Sequence, residues 1–248
     1  MRSAPVRLLG AAAVLALVAD CAMAGVSIEP VVVQLAQSNR TATIRITNQG
    51  EQGVRLQAAV FRWSQAGADR REPTEELLVV PPIAEIAPGA SQLIRVALRR
   101  PQSAPRERAY RLLLQDIGPT AGDGVENLVR MPVSHDLPVL VAPAGPPVRA
   151  ITWAGCGPSG DATPATTPPS PCLRLANQGN RRLKFDALIL SGPDGERRVA
   201  LRAPINLLAG SFLDLPLPAD VPAPPVTRTV LVHATEGEPV AAQAAPTP

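Results

Sequence analysis

Short stretches of alternating hydrophobic and polar residues recur along the chain from residue 26 onward. In residues 41–48, Ala42, Ile44 and Ile46 alternate with polar side chains. A period of two places the apolar set on one face of a β-strand, whereas helical periodicity is almost absent from the chain. Comparable stretches occur at residues 26–37, 54–63, 76–82, 92–100, 109–117 and 127–141. About seven short strands at this spacing predict an immunoglobulin-like β-sandwich.

Prolines, glycines and polar segments divide these strands. Pro30 lies inside the first stretch and cannot donate a ladder hydrogen bond, which predicts an edge strand or a bent strand that changes sheets. Residues 64–74 are polar and predict a loop. Residues 83–90 contain Pro88 and Gly89 and predict a connection with a turn.

The last predicted strand of this group carries the strongest functional signal. Val129, Met131 and Val133 fall on one face of it. Because Pro132 and Pro138 cannot donate hydrogen bonds to a neighbour, we predict at least one unpaired edge in the isolated chain. Proteins usually blunt such edges, so an open apolar edge is typical of a strand that pairs with another chain. The alternative is the ordinary last strand of a sandwich.

Beyond His135 the pattern of the same strand changes. Its second half is apolar at Leu137, Val139, Leu140 and Val141, so both faces carry hydrophobic side chains. This pattern predicts that the second half is buried between two layers.

A second group of strands follows a proline-rich connector. Residues 143–147 predict a stiff, extended linker, and shorter alternating stretches continue beyond it as far as residue 235. The predicted fold class is therefore all-β, with two immunoglobulin-like sandwich domains. We expect the N-terminal domain at residues 25–142, the C-terminal domain at 148–236, and a disordered Ala/Pro-rich tail at 237–248.

Residues 1–24 have the features of a secretory signal peptide. Arg2 and Arg7 precede an apolar run, and the segment ends in the small-x-small sequence AMA. The run is too short to anchor the protein in a membrane, so we expect an exported, periplasmic protein and not an integral membrane protein. A lipoprotein would use Cys21, but Asp20 occupies the preceding position, where a small residue is expected.

The charge balance does not indicate a nucleic-acid partner. The chain has 24 basic and 21 acidic residues, and removal of the signal peptide leaves 22 and 20. The arginines are scattered along the sequence, whereas a nucleic-acid surface requires a basic cluster.

Two cysteines remain after the signal peptide. Cys156 and Cys172 flank a segment of small and polar residues, and export makes a disulfide between them plausible. A metal site is the weaker interpretation, because two thiolates do not complete a zinc shell and no histidine is nearby in the sequence.

No catalytic constellation is evident in the sequence. His135 and His233 are the only histidines, and neither belongs to a metal-binding motif. We therefore expect no catalytic residue, no metal, no cofactor and no enzymatic activity. The remaining alternatives are a binding protein with an open strand and a secreted two-domain module with a structural or adhesive role.

Three segments carry a family resemblance, namely LVVPPIAEIAPGASQLIRVALRR, RERAYRLLLQDIGP and ENLVRMPVSHDLPVLVAP. With the start GVSIEP and the later LANQGNRRL, the sequence resembles PapD-like periplasmic pilus chaperones over nearly all of residues 25–240. The paired prolines, the Pro-Gly turn, the strand arginine and the strand before the linker occur in the family's order. The form DLPVLV is similar to the more divergent fimbrial systems.

This resemblance implies two immunoglobulin-like domains in a boomerang arrangement. Family members hold fimbrial or pilus subunits that lack a final strand by lending their own strand, and they deliver these subunits to an outer-membrane usher. The implied partners are therefore the subunits and the usher. Val129, Met131 and Val133 would be the side chains lent to the subunit's groove.

The sequence departs from the family at the anchor for the subunit's C-terminal carboxylate. The family uses two basic residues there, and Val32 and Pro138 occupy the aligned positions. We therefore expect the anchor at Arg111, with Arg130 as the second candidate, although a solvated strand arginine is an equally good interpretation of Arg111.

A second group of residues matches family positions that pair near the domain junction. Arg95 and Glu107 occupy two of these positions. The usual acidic partner in the second domain falls near Thr235, so Glu236 would have to substitute for it.

Overall fold

The computed structural model of the protein describes residues 25–100, 103–118, 133–156, 171–193, 195–218, 221, 229–235 and 238–245. All regular structure in these residues is β-strand, which confirms the predicted all-β fold class. The strands are β1 Val26–Glu29, β2 Val33–Leu35, β3 Thr41–Asn48, β4 Val54–Ala66, β5 Ala68–Pro73, β6 Leu77–Val80, β7 Ile83–Ile86, β8 Ser91–Leu98, β9 Arg108–Asp116, β10 Ser134–Val141, β11 Ile151–Gly155, β12 Cys172–Asn177, β13 Leu183–Gly192, β14 Gly195–Leu207, β15 Phe212–Pro216, β16 Thr229–Ala234 and β17 Val240–Ala244.

The first ten strands form two sheets that share one core. The first sheet has the order β1-β3-β8-β6, and the second has the order β2-β10-β9-β4-β5, with β7 paired to β4. Ile44 and Val96 of the first sheet and Leu112 and Val139 of the second are all fully buried in this core. Alternating apolar residues of both sheets therefore close the predicted sandwich.

The chain changes sheets at Pro30, which is one of the two alternatives that the sequence predicts. β1 pairs with β3 in the first sheet, and β2 pairs in parallel with β10 in the second sheet. Proline at the bend carries no backbone N–H that would have to be satisfied in either ladder.

Two segments predicted as connections contain strands. The expected loop at residues 64–74 is wrong, because β4 continues to Ala66 and β5 returns beside it in antiparallel register. All six side chains of β5 are exposed. A strand without a buried face needs no alternation of apolar residues, so its sequence does not indicate a strand. β7, within the predicted turn-bearing connection, alternates exposed residues with buried Ala84 and Ile86.

β10 is buried on both faces in its second half, as predicted. Val139 and Val141 enter the core between the first two sheets, whereas Leu140 points to the opposite face of the second sheet. Leu140 is only 4 % exposed, because it packs in a cluster with Trp63, Ala109 and Leu208, the last of which belongs to the C-terminal half of the chain.

The last seven strands form a third sheet with the order β14-β13-β16-β17-β11-β12-β15. Every one of these strands contributes a buried side chain to a second hydrophobic core. For every strand of one continuous sheet to bury a side chain in the same core, the sheet must curve around that core. The curved sheet and its core form the second immunoglobulin-like unit. A Cys156–Cys172 disulfide, as predicted, joins the end of β11 to the start of β12, with 5.4 Å between the two Cα atoms.

The predicted disordered tail is wrong for residues 240–244. These residues form β17, which pairs in parallel with β11 and antiparallel with β16. Ala242 is buried in the second core. Backbone pairing along both edges therefore holds this strand in the sheet although its side chains are small.

No helix in the part of the chain that the structure describes is long and apolar enough to cross a membrane.

Candidate functional site

The candidate strand-donating site begins at the open edge of β10. β10 pairs with β9 along its whole length, from Ser134 to Val141. It pairs with β2 only at Val139–Val141. Within the described residues, the edge of positions 134–138 that faces away from β9 has no strand partner. The backbone groups along that edge are therefore available to another chain.

Val133 marks the start of this edge. Its carbonyl oxygen accepts a hydrogen bond from the backbone N–H of Asp116 at 3.2 Å, which fixes the backbone beside β9. Its side chain is 56 % exposed. Val129 and Met131, the other members of the predicted row, lie outside the described residues.

The outer face of the second sheet meets the third sheet at a junction. Trp63, Ala109 and Leu140 on this face pack against Leu208, which follows β14, and all four are buried. Val32 is partly buried against the same cluster. Val32, which the resemblance aligns with an anchor position, therefore packs against the junction.

Arg111 also lies on the outer face of the second sheet, next to this cluster. Its guanidinium carbon stands 4.2 Å from the centre of the Trp63 ring. Its Nε lies 3.4 Å from an oxygen of Asp136, and its side chain is 16 % exposed. Asp136 is shared, because Arg71 approaches its other oxygen at 2.6 Å. Arg111 is thus a half-buried cation in a network, and the solvated-arginine interpretation does not describe it.

Burial lowers the pKa of Arg111 from its ordinary value. Asp136 and Asp69 oppose this shift in pKa, and the like charge of Arg71 adds to it. The side chain nevertheless stays charged at neutral pH, because a guanidinium is not deprotonated in proteins under these conditions.

Several polar atoms in this network lack an aligned hydrogen bond. They are the Trp63 Nε1, the Arg111 Nε and one oxygen of Asp136, all buried and without a hydrogen-bond partner among the described residues. The Arg111–Asp136 contact is therefore an ion pair at 3.4 Å without hydrogen-bond alignment. A guanidinium has five N–H donors, so this site has the capacity to hold a further carboxylate.

Glu107 makes contacts across the junction by a different route from the expected one. Its carboxylate accepts a hydrogen bond from the backbone N–H of Arg182 at 2.9 Å, and its own N–H donates to the Asn180 carbonyl. Burial raises the pKa of Glu107, although the hydrogen bond from Arg182 and the charges of Arg182 and Arg181 oppose this.

The expected pair between Arg95 and Glu107 does not form. Arg95 lies on β8 in the first sheet and is exposed, and the ion pairs among the described residues do not join it to Glu107. The outward face of the first sheet is on the far side of the sandwich from the junction. Glu236 and Arg130 lie outside the described residues.

Trp63, Asp136 and Gln65 were not identified from the sequence as site residues. Trp63 and Gln65 fall on the same face of β4, and both are buried at the junction, at 4 % and 7 % exposure. Gln65 lies in the segment predicted as a loop, so its period-two relation to Trp63 was the one available signal.

No cluster of His, Cys, Asp and Glu suited to hold a metal ion occurs within the described part of the chain. The polar groups of the site are instead arginines, carboxylates and backbone edges, which suit the recognition of a polypeptide.

The sequence of residues 25–147 matches the family of pili and flagellar-assembly chaperones, PapD N-terminal domain. The chain therefore belongs to the PapD-like chaperones, which confirms the resemblance. No match to the sequence is found among curated proteins.

Solved structures of pilus chaperones share the fold. The CsuC-CsuE chaperone–tip adhesion subunit complex from the archaic chaperone-usher Csu pili of Acinetobacter baumannii superposes with a TM-score of 0.68 at 16 % identity, covering 90 % of this chain and 100 % of the other. The E. coli chaperone DraB gives a TM-score of 0.58 at 16 % identity, covering 88 % and 96 %. The Pseudomonas aeruginosa chaperone CupB2 gives 0.55 at 14 % identity, covering 88 % and 100 %.

Proposed function

We propose that the protein is a periplasmic chaperone that holds secreted fimbrial or pilus subunits by lending them an edge strand, and that it delivers them to an outer-membrane usher. The observation that carries this proposal is the unpaired edge of β10 at positions 134–138, beside the exposed side chain of Val133. The signal-peptide features of residues 1–24 support export to the periplasm.

Strand addition would use two kinds of interaction. The open edge supplies backbone donors and acceptors, while Val129, Met131 and Val133 supply apolar side chains for a groove in the subunit. Full burial of each such side chain stabilises a complex by roughly 1.5 to 3 kcal/mol. The three side chains together would then dominate the affinity.

Arg111 is our candidate for the anchor of the subunit's terminal carboxylate. It lies opposite Pro138 in the β9–β10 register. Pro138 is the last residue of the open edge, because the pairing of β10 with β2 begins at Val139. Its stacking on Trp63 and its contact with Asp136 restrict the guanidinium, which lowers the entropy cost of gripping a ligand. Arg130 is the second candidate.

The test is a Met131→Thr, Val133→Thr double variant expressed in the periplasm. We expect it to fold and melt like the parent, because Val133 is exposed in the free protein. Its co-exported subunits should aggregate or be degraded, as measured by their abundance and by their co-purification with the chaperone.

Val139→Thr is the matched control on the same strand. Val139 is fully buried in the first core, so a hydroxyl there should destabilise the protein by about 1 to 3 kcal/mol. If the double variant unfolds in the same way, or if it still protects subunits, the strand is an ordinary part of the sandwich. That outcome would favour a secreted structural or adhesive module.

A further inference from the structure

The tip of the β4–β5 hairpin reaches across the junction to the third sheet. Gln65 is 7 % exposed, and its side chain bonds to two backbone groups there. Its Nε2 donates to the Asn206 carbonyl at 2.7 Å, and its Oε1 accepts from the Leu208 N–H at 2.8 Å. The second Nε2 hydrogen is used within the hairpin, where it donates to Asp69 at 2.7 Å. The amide is therefore fully satisfied only while the two units are in contact.

Gly67, at the turn of the hairpin, adds a backbone connection. Its N–H donates to the Phe212 carbonyl at 3.1 Å, and its carbonyl accepts from the Asp214 N–H at 3.4 Å. These bonds make a short parallel bridge between Gly67 and Leu213. Gly67 has a φ of +82°, a left-handed conformation that glycine adopts without the cost paid by other residues.

A buried amide that loses its partners is costly, so separation of the units at this point is opposed by each bond. The same contacts hold Leu208 in the cluster with Trp63, and the Arg111 guanidinium stacks on the Trp63 ring.

We propose that Gln65 and Gly67 form a hydrogen-bonded latch that fixes the second unit against the outer face of the second sheet. The latch sets the geometry of the junction together with the contacts of Glu107 with Asn180 and Arg182. Gln65 is a positioning residue, because it acts on Trp63 and Arg111 through Leu208. The existence of the latch does not depend on the proposed function, and it can be tested on the free protein.

Trp63 provides the spectroscopic readout. The chain has two tryptophans, Trp63 and Trp153, so Trp153→Phe leaves the junction tryptophan as the sole reporter. In that background, Gln65→Met keeps the length of the side chain and removes its hydrogen bonds. Gln57→Met is the matched control, because Gln57 lies on the same face of the same strand and is exposed.

We expect Gln65→Met to shift the Trp63 emission to the red and to raise the acrylamide quenching constant at least about twofold, since opening the junction exposes the ring to water. Small-angle scattering should show a larger radius of gyration for this variant. Gln57→Met should match the parent in all three measurements. Unchanged quenching and scattering in Gln65→Met would overturn the proposal.

A second pair of variants keeps the test decisive if Gln65→Met fails to fold by circular dichroism. Gly67→Ala strains the latch backbone, whereas Gly89→Ala introduces the same strain at a φ of +69° with no neighbour within 4 Å of the added methyl. Gly67→Ala should reproduce the Trp63 exposure and Gly89→Ala should not. Equal quenching in the two alanine variants would reject the latch, and subunit capture plays no part in either outcome.

Discussion

Arg111 combines burial, an aromatic support and a shared carboxylate in one place. If Arg111 is removed, Asp136 keeps its ion pair with Arg71 at 2.6 Å, so its carboxylate is not left without a cationic partner. This is why a variant at Arg111 can be tested for binding without loss of the fold.

We predict that Arg111→Ala lowers the affinity for subunits by about 100-fold or more while the protein stays folded. A carboxylate that has lost its buried partner costs about 3 to 5 kcal/mol, and each 1.4 kcal/mol is a factor of ten. The measurement is the dissociation constant for a synthetic peptide with the subunit's C-terminal sequence. Arg95→Ala, at an exposed arginine of the first sheet, is the control, and equal affinity of the two variants would move the anchor away from Arg111.

Glu107 has a raised pKa in the folded state, so its contribution to stability has a definite sign. As pH rises past the ordinary value of 4.5, the unfolded chain releases this proton first. The folded state then binds more protons than the unfolded state, so the free energy of unfolding falls with rising pH until the folded pKa is passed.

We therefore predict that Glu107→Gln removes this component of the pH dependence. Urea titrations at a series of pH values from about 4 to 7 should show a smaller loss of unfolding free energy with rising pH in Glu107→Gln than in the parent, because the amide does not ionise. Glu72→Gln, at an exposed glutamate of β5, is the control variant that also replaces one carboxylate by an amide. A profile of Glu107→Gln that superposes on the parent's would contradict the prediction.

At the scale of elements, β17 lies in the middle of the third sheet. It pairs with β16 at Val230–Val232 and with β11 at Ile151–Trp153. Its loss would leave two internal edges unpaired at once, whereas loss of an edge strand would leave one.

We predict that a chain ending at Pro239 loses more than about 3 kcal/mol of stability in the second unit, since each ladder hydrogen bond contributes about 0.5 to 1.5 kcal/mol. A chain ending at Ala245 keeps β17 and should behave like the parent. Thermal melting followed by circular dichroism distinguishes the two. Equal melting temperatures would mean that β17 is dispensable to the sheet.

At the scale of the whole molecule, two separate cores are joined through the junction. The Cys156–Cys172 disulfide joins two strands of the third sheet, which surrounds the second core. No residue of the first core lies on these two strands. A change in the disulfide should therefore act on one unit.

We predict that a Cys156→Ser, Cys172→Ser double variant loses about 3 kcal/mol in the second unit, as the chain-entropy treatment gives for a closed loop of about this length. Hydrogen exchange read by mass spectrometry should be faster in peptides from β13 and unchanged in peptides from β3 and β8. Equal acceleration in both units would show that the disulfide stabilises the molecule globally.

The strand pattern could be predicted because alternation is a property of neighbouring residues. β3, β8 and β9 follow their predicted stretches closely, since each has a full row of apolar side chains on one face. β5 was missed because its side chains are all exposed and its pairing with β4 is satisfied by the backbone. The Arg95–Glu107 pair was wrong because sequence position does not reveal which side of a sandwich a strand faces.

The all-β class, the buried second half of β10 and the disulfide could be predicted from the sequence, because each depends on local periodicity or on the presence of only two cysteines after the signal peptide. At Pro30 the sequence left an edge strand and a change of sheets as alternatives, because the missing N–H of proline suits both. The tertiary structure alone decided the junction. Gln65 and Leu208 are 143 residues apart, and their hydrogen bond exists only because the second and third sheets come into contact. The places of β17 and Trp63 were decided in the same way, since a strand partner or a burying surface from a distant part of the chain leaves no local pattern.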